Sequence, residues 1–278
     1  MNTAMGDRVR RRVGVFAFFC LLLCAASGAA QNNLNAPRLF ELGMDSLTAI
    51  GPDRNPTAAF DYLKRSADLG YPPAQTTLGY FYETGGVVPA DPSQSVEWYK
   101  KAAKQGDRVG EWLLGRLYYT GSGTARDLNL AAAMLQKSAA QDDPFADYLL
   151  GMVQLEREQY TQAADSFRKA AMQGLPQAQQ QLGLLLKNGK GVTADKLEGY
   201  VWLLVSYDSG NQAATVANEL RSLQNEMTMA QMELAKSKAH EVEQTANRVV
   251  TARGCTGWNG EFSTVPAPPP PDIQRYCR

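Results

Sequence analysis

A Leu-Gly pair recurs along the chain at Leu42-Gly43, Leu78-Gly79, Leu114-Gly115, Leu150-Gly151 and Leu182-Gly183, with the glycines 36, 36, 36 and 32 residues apart. A period of this length confines the chain to a repeat architecture, in which each segment is one supersecondary element that buries its apolar side against its neighbours. A second landmark keeps step with the first. Ser66-Ala67, Ala102-Ala103, Ser138-Ala139 and Ser206-Tyr207 stand 23 and 24 residues after the glycine, and Gly70, Gly106 and Gly210 follow three further on. In the fourth repeat this landmark, Ala170-Ala171 with Gly174, comes four residues early, which predicts a shorter connection between its two helices.

Within a repeat the apolar spacing is helical. Ala74, Leu78, Phe81 and Tyr82 share one face at the 3.6-residue period, and so do Val96, Tyr99, Ala102 and Ala103. Between them, Thr84 to Pro92 is rich in helix breakers, and Asp91-Pro92 reads as an N-cap followed by proline at the first helical position. Gly106 is placed to close the second helix. A glycine inside a helix costs about 1 kcal/mol relative to alanine, so its recurrence in every first helix implies a neighbour packed on bare backbone. Ala102 and Ala103 are the expected counterpart. The fold class that follows is all-α: a solenoid of about five helical hairpins over residues 31–211, its concave face lined by the first helices.

The repeat with the most landmarks runs Ala74-x3-Leu78-Gly79-x2-Tyr82-x2-Gly85, then Asp91, Trp98-Tyr99, Ala102-Ala103 and Gly106. It resembles the Sel1-like repeat, a relative of the tetratricopeptide repeat with a longer inter-helix loop. The third repeat, Leu114-Gly115-x2-Tyr118-x2-Gly121, and the fifth, Leu182-Gly183 with Gly189-x-Gly191, share the pattern. The first departs at Asp45-Ser46, and the fourth, with Tyr160-x2-Ala163 and Phe167-x2-Ala170, is closer to an ordinary tetratricopeptide repeat. The resemblance implies an adaptor for protein complexes, with secreted bacterial members in envelope signalling, polysaccharide export and host interaction. A cysteine-rich branch is linked to β-lactam binding through paired cysteines, which these repeats lack, so that activity is not carried over.

Charge and residue usage narrow the function classes. Lys plus Arg and Asp plus Glu each total 28, which leaves no basic field for nucleic acid. His240 is the single histidine, so no Ser-His-Asp arrangement or multi-histidine metal site is expected without it, and a cap-packing or solvated role is assigned to it. No catalytic residue, cofactor or metal is expected.

Arg8, Arg10, Arg11 and Arg12 precede an apolar stretch, Val13 to Ala26, and the small residues Ser27-Gly28-Ala29-Ala30, the pattern of a secretory signal peptide over residues 1–30. The 14-residue stretch is shorter than the roughly 20 residues of a spanning helix. A periplasmic location is expected, with secretion to the medium as the alternative. Without residues 1–30 the chain keeps 24 positive and 27 negative side chains and two cysteines, Cys255 and Cys277. In an oxidising compartment these two are expected to pair. Residues 212–250 read as two capping helices, the second opened by the capping box Thr228-Met229-Ala230-Gln231. Residues 251–278 form a tail with Pro266 and Pro268 to Pro271, read as a stiff linker or lid, or as a ligand for an aromatic groove.

On each first helix the core takes the Leu-Gly pair, the residue four before the leucine, and those two and three after the glycine. The free face therefore falls three before, one after and four after each glycine. These positions hold Phe40, Met44 and Leu47; Thr76, Tyr80 and Glu83; Trp112, Arg116 and Tyr119; Tyr148, Met152 and Leu155; and Gln180, Leu184 and Lys187. Aromatic residues, Met and Arg on a solvent face are the composition of binding hot spots. Phe40, Met44, Tyr80, Trp112, Arg116, Tyr119, Tyr148 and Met152 are the candidate protein-binding residues, with packing between repeats or beneath the tail as the alternative.

Two outcomes are expected. N-terminal mass analysis of exported protein should find Gln31 first, whereas lipid on Cys24 or an intact N-terminus would make the segment an anchor. A Cys255–Cys277 bridge closes a loop of about 22 residues, worth about 3 kcal/mol, and its reduction should leave the helical circular dichroism unchanged because no repeat contains cysteine.

Overall fold

Aspartate and proline set the start of most helices. The side chains of Asp91, Asp107, Asp127, Asp143 and Asp195 accept backbone N–H bonds in the first turn that follows each, and among the described residues proline occupies the first turn of six helices. The computed structural model describes residues 35–48, 53 and 55–252, with side chains to residue 246; the proposed signal segment and both tail cysteines lie outside them. Twelve helices and no strand occur among the described residues. They are α1 (Ala36–Thr48), α2 (Pro56–Asp68), α3 (Pro72–Thr84), α4 (Pro92–Lys104), α5 (Arg108–Thr120), α6 (Leu128–Ala139), α7 (Pro144–Glu156), α8 (Tyr160–Met172), α9 (Pro176–Asn188), α10 (Lys196–Asp208), α11 (Ala214–Gln224) and α12 (Met229–Ala252).

The chain divides into two compact units, one ending at Leu69 and one starting at Gly70. The first holds the hairpin α1–α2. In the second, α3–α4, α5–α6, α7–α8 and α9–α10 are hairpins that stack through α4 on α5, α6 on α7 and α8 on α9. The first helices also meet, α3 with α5 and α5 with α7. A continuous core runs from Val96 and Tyr99 to Leu186 and Trp202. Helices α11 and α12 pack on α10 around Leu203, Val216, Leu220, Leu223 and Ala235, and the Thr228–Gln231 capping box forms as expected, through Thr228 N to Gln231 Oε1 at 2.9 Å and Gln231 N to Thr228 Oγ1 at 3.3 Å.

The recurrent glycine does meet a partner helix, but its counterpart is a large side chain, not the expected alanine pair. A methyl group on Gly79 would lie 2.5 Å from the Tyr99 ring, and one on Gly151 would lie 2.6 Å from Phe167. Gly43, Gly115 and Gly183 stand against Leu63, Leu135 and Leu203 in the same way. Ala102 instead packs on Gly110 of the next repeat. The physical reason is geometric: the bare backbone of one helix receives a bulky knob from the second, and this draws the two axes together. Serine then closes the hairpin at its other end, where the hydroxyls of Ser66, Ser138 and Ser206 donate to the carbonyls of Ala36, Arg108 and Pro176 at 2.6, 2.9 and 2.7 Å.

Loops add a second lock between repeats. Gly123, at φ 69°, lies against the Pro92 carbonyl of the preceding second helix, and Gly191, at φ 72°, lies against Tyr160 and Thr161. A side chain has no room at either position. The fourth repeat lacks such a loop. Only Arg157, Glu158 and Gln159 join α7 to α8, as the early landmark predicted, and Glu158 takes the left-handed conformation at φ 60°.

Gly79→Ala should destabilise the fold by about 1–3 kcal/mol in urea or thermal melting, although alanine is the better helix former. Tyr99 cannot yield, because it is fully buried and its hydroxyl donates to Glu83 Oε2 at 2.9 Å. Gly86→Ala, in the adjoining loop with only the Thr84 hydroxyl 3.9 Å away, serves as a control expected within about 0.5 kcal/mol of the native protein.

Candidate protein-binding groove

In the first unit Phe40 is 1% exposed, while Met44 and Leu47 are half-buried. The expectation of a solvent-facing Phe40 is therefore corrected: Phe40 sits on the turn of α1 that also buries Leu39 and Gly43.

In the second unit the same rule meets a similar correction at Thr76, Trp112 and Arg116, which are 2%, 2% and 8% exposed. Thr76 and Trp112 are covered by the next repeat, and Arg116 is held by the preceding one. The Thr76 hydroxyl donates to Asp107 Oδ2 at 2.8 Å, so the residue that caps α5 also closes over α3. The Trp112 ring packs on Phe145 of α7 with centroids 5.4 Å apart. Arg116 lies 5.8 Å from the Trp112 ring centroid and donates through Nη2 to Glu83 Oε1 at 2.5 Å. Glu83 thus uses one oxygen for Arg116 and the other for the Tyr99 hydroxyl, joining the second and third repeats through a nearly dry network. Burial first, and the Glu83 charge second, push the Tyr99 hydroxyl well above the usual tyrosine range. Trp112 Nε1 and Arg116 Nε are buried without an acceptor among the described residues.

Around this closed floor stand the half-buried side chains Tyr80, Tyr119, Tyr148, Met152 and Leu155. Tyr148 packs on Phe167 at 6.0 Å between ring centroids. Burial raises the pKa of both the Tyr119 and Tyr148 hydroxyls; the Glu156 charge adds to the effect on Tyr119, and Tyr119 itself to the effect on Tyr148. Both hydroxyls therefore remain protonated donors at neutral pH. Arg126, from the loop of the third repeat, lies 5.4 Å from the Tyr119 ring centroid and donates to Glu156 of α7 at 2.6 and 2.5 Å.

The last first helix faces the cap. Gln180 accepts from Asn211 at 2.8 Å, Lys187 pairs with Glu219 of α11, and Leu184 packs in the cap cluster. The usable face is thus confined to α3, α5 and α7. Sequence reasoning missed the Glu83–Arg116 and Arg126–Glu156 pairs, although separations of 33 and 30 residues, close to one repeat length, carried a signal for both. His240 is exposed on α12, 2.8 Å from Gln244. No helix among the described residues is long and apolar enough to cross a membrane.

Known proteins share the repeat fold. The Sel1 repeat pattern matches residues 39–71, 72–107, 109–143 and 176–211, passing over the short-looped fourth repeat. A Sel1 repeat protein from Oxalobacter formigenes is 30% identical over 71% of this chain and 58% of its own, with a TM-score of 0.59. A protective antigen present in uropathogenic Escherichia coli strains, displaying an SLR fold, is 25% identical over 78% of this chain and 55% of its own, with a TM-score of 0.51. The chain thus spans a little over half the length of these two relatives. No curated protein matches. Four matched repeats, each built on a glycine that receives the second helix, place the chain in the Sel1 repeat family.

Proposed function

We propose that this chain is a non-enzymatic, exported scaffold of the bacterial cell envelope that holds a segment of a partner protein against α3, α5 and α7. The observation that carries this reading is the group Tyr80, Tyr119, Tyr148 and Met152 on one lining of the stack, half-buried and rigidly floored by Trp112 and Phe145. Tyrosine supplies contact area and a hydroxyl at low entropic cost, and methionine adapts its shape to a partner. The charged groups of this face are already matched within the protein, Arg116 to Glu83 and Arg126 to Glu156, so the groove favours a segment with apolar side chains and backbone carbonyls for the Tyr119 and Tyr148 hydroxyls. Export to the periplasm is part of the proposal and rests on the Arg8 to Ala30 pattern. Action outside the cell is the second reading. It is favoured by the description of the Escherichia coli relative as a protective antigen. Finding the protein in culture medium and not in periplasmic extract would select it.

The double variant Tyr119→Ala/Tyr148→Ala separates binding from folding. Crosslinked capture from envelope fractions should recover a partner with the native protein and lose it with the variant, since truncating two hot-spot residues costs about 2 kcal/mol or more each in binding. The variant must stay folded by circular dichroism. Full partner capture by a folded variant would remove the groove from the function. Trp112→Ala is unsuited to this purpose, because deleting a fully buried Trp costs about 3–5 kcal/mol of stability.

A further inference from the structure

Four residues before each mid-helix glycine of the second unit lies a buried polar side chain: Gln75, Glu111, Asp147 and Gln179, exposed by 4%, 4%, 2% and 0%. The column is neutral at its two ends. Gln75 accepts at 2.8 Å from Gln105, the residue that caps its own second helix, and Gln179 donates to the Ala171 carbonyl at 3.2 Å. Its middle two members are acids. Glu111 takes the place of Gln75 one repeat on and accepts from Gln141 at 2.8 Å, so the same clasp is made by a carboxylate. The carboxylate of Asp147 accepts no hydrogen bond among the described residues.

We propose that Glu111 and Asp147 make the third and fourth repeats an acid-tightened segment, in which protonation of these two carboxylates firms the packing of α5 and α7 and neutral pH loosens it. Its link to partner capture rests on the groove reading, since Trp112 and Tyr148 are the next residues along; the packing change itself does not. A buried carboxylate without a full set of donors favours its neutral form. The surrounding charges only partly offset this. Facing Asp147 are Lys169 from α8, and Asp142 and Asp143 from the connection before α7. Arg108 of α5 lies 3.7 Å from Asp143. Facing Glu111 are Lys137 of α6 and Asp107. Burial raises both carboxyls, that of Asp147 to about 6. A raised carboxyl stabilises the folded segment below the unfolded value near 4, and the gain is lost as pH rises to about 6. The opening equilibrium of α7 should therefore change roughly a hundredfold between the two limits.

The test compares the full chain with Asp147→Asn, using hydrogen exchange corrected for intrinsic rate at pH 4.5 and pH 7. In the native protein, protection of α7 should fall between these two pH values by about twentyfold, and Asp147→Asn should hold the high level at both. Glu111→Gln should do the same for α5 by a smaller factor. Equal pH dependence in native and variant proteins overturns the proposal, as does a less protected Asp147→Asn at pH 7. A carboxyl NMR titration of the native protein gives an answer without any variant: a midpoint near 6 for Asp147 supports the device, and one in the ordinary aspartate range near 4 overturns it. Neither measurement uses a partner, so loss of groove binding and loss of the pH response are separately visible.

Discussion

Helix backbone meeting a bulky side chain of its partner helix is the contact on which the rest of this architecture depends. At Gly79 the visitor is Tyr99, at Gly151 it is Phe167, and at the other three glycines it is leucine. Any Cβ at these points would overlap the visitor, so the axes would have to move apart. The serine hydroxyls that reach the opposite helix start from the last turn of α2, α6 and α10 succeed only because the axes are close. Glycine's helix penalty is thereby offset by packing and a buried hydrogen bond.

Stacking of hairpins then follows from contacts that span one repeat. Asp107 illustrates the economy of this arrangement, since one carboxylate both caps α5 and accepts from Thr76 on α3. Glu83 likewise serves a second helix of its own repeat and a first helix of the next. Each bond ties neighbours only, which is the physical basis of the one-dimensional character of solenoids. These ties close the middle of the lining and leave its tyrosines at the margin.

The column of Gln75, Glu111, Asp147 and Gln179 shows how equivalent positions in a repeat differ in energy. The amides satisfy the same space with neutral dipoles, whereas the acids hold charge where water is scarce. On the proposal made above, these two charges lower stability at neutral pH in the third and fourth repeats, beside Tyr119 and Tyr148.

Helix order, the aspartate and proline caps, the Thr228–Gln231 box and the short fourth loop were all legible in the sequence, because each depends on residues within one helical turn or on the repeat period. The lining was legible as a direction: the positions three before, one after and four after the glycine do share one side of each first helix. Which of them meets water was not legible. Phe40, Trp112 and Arg116 carry the same periodicity as Met44, Tyr148 and Tyr80, yet the first group is buried and the second half-exposed. The partner of Gly79 was hidden for the same reason, since Tyr99 and Ala102 occupy one helical stripe and only the crossing of the two helices selects between them. Periodicity within a helix determines which side chains point together. The rotation and separation of the neighbouring helices, a property of the packed chain alone, decide what covers them.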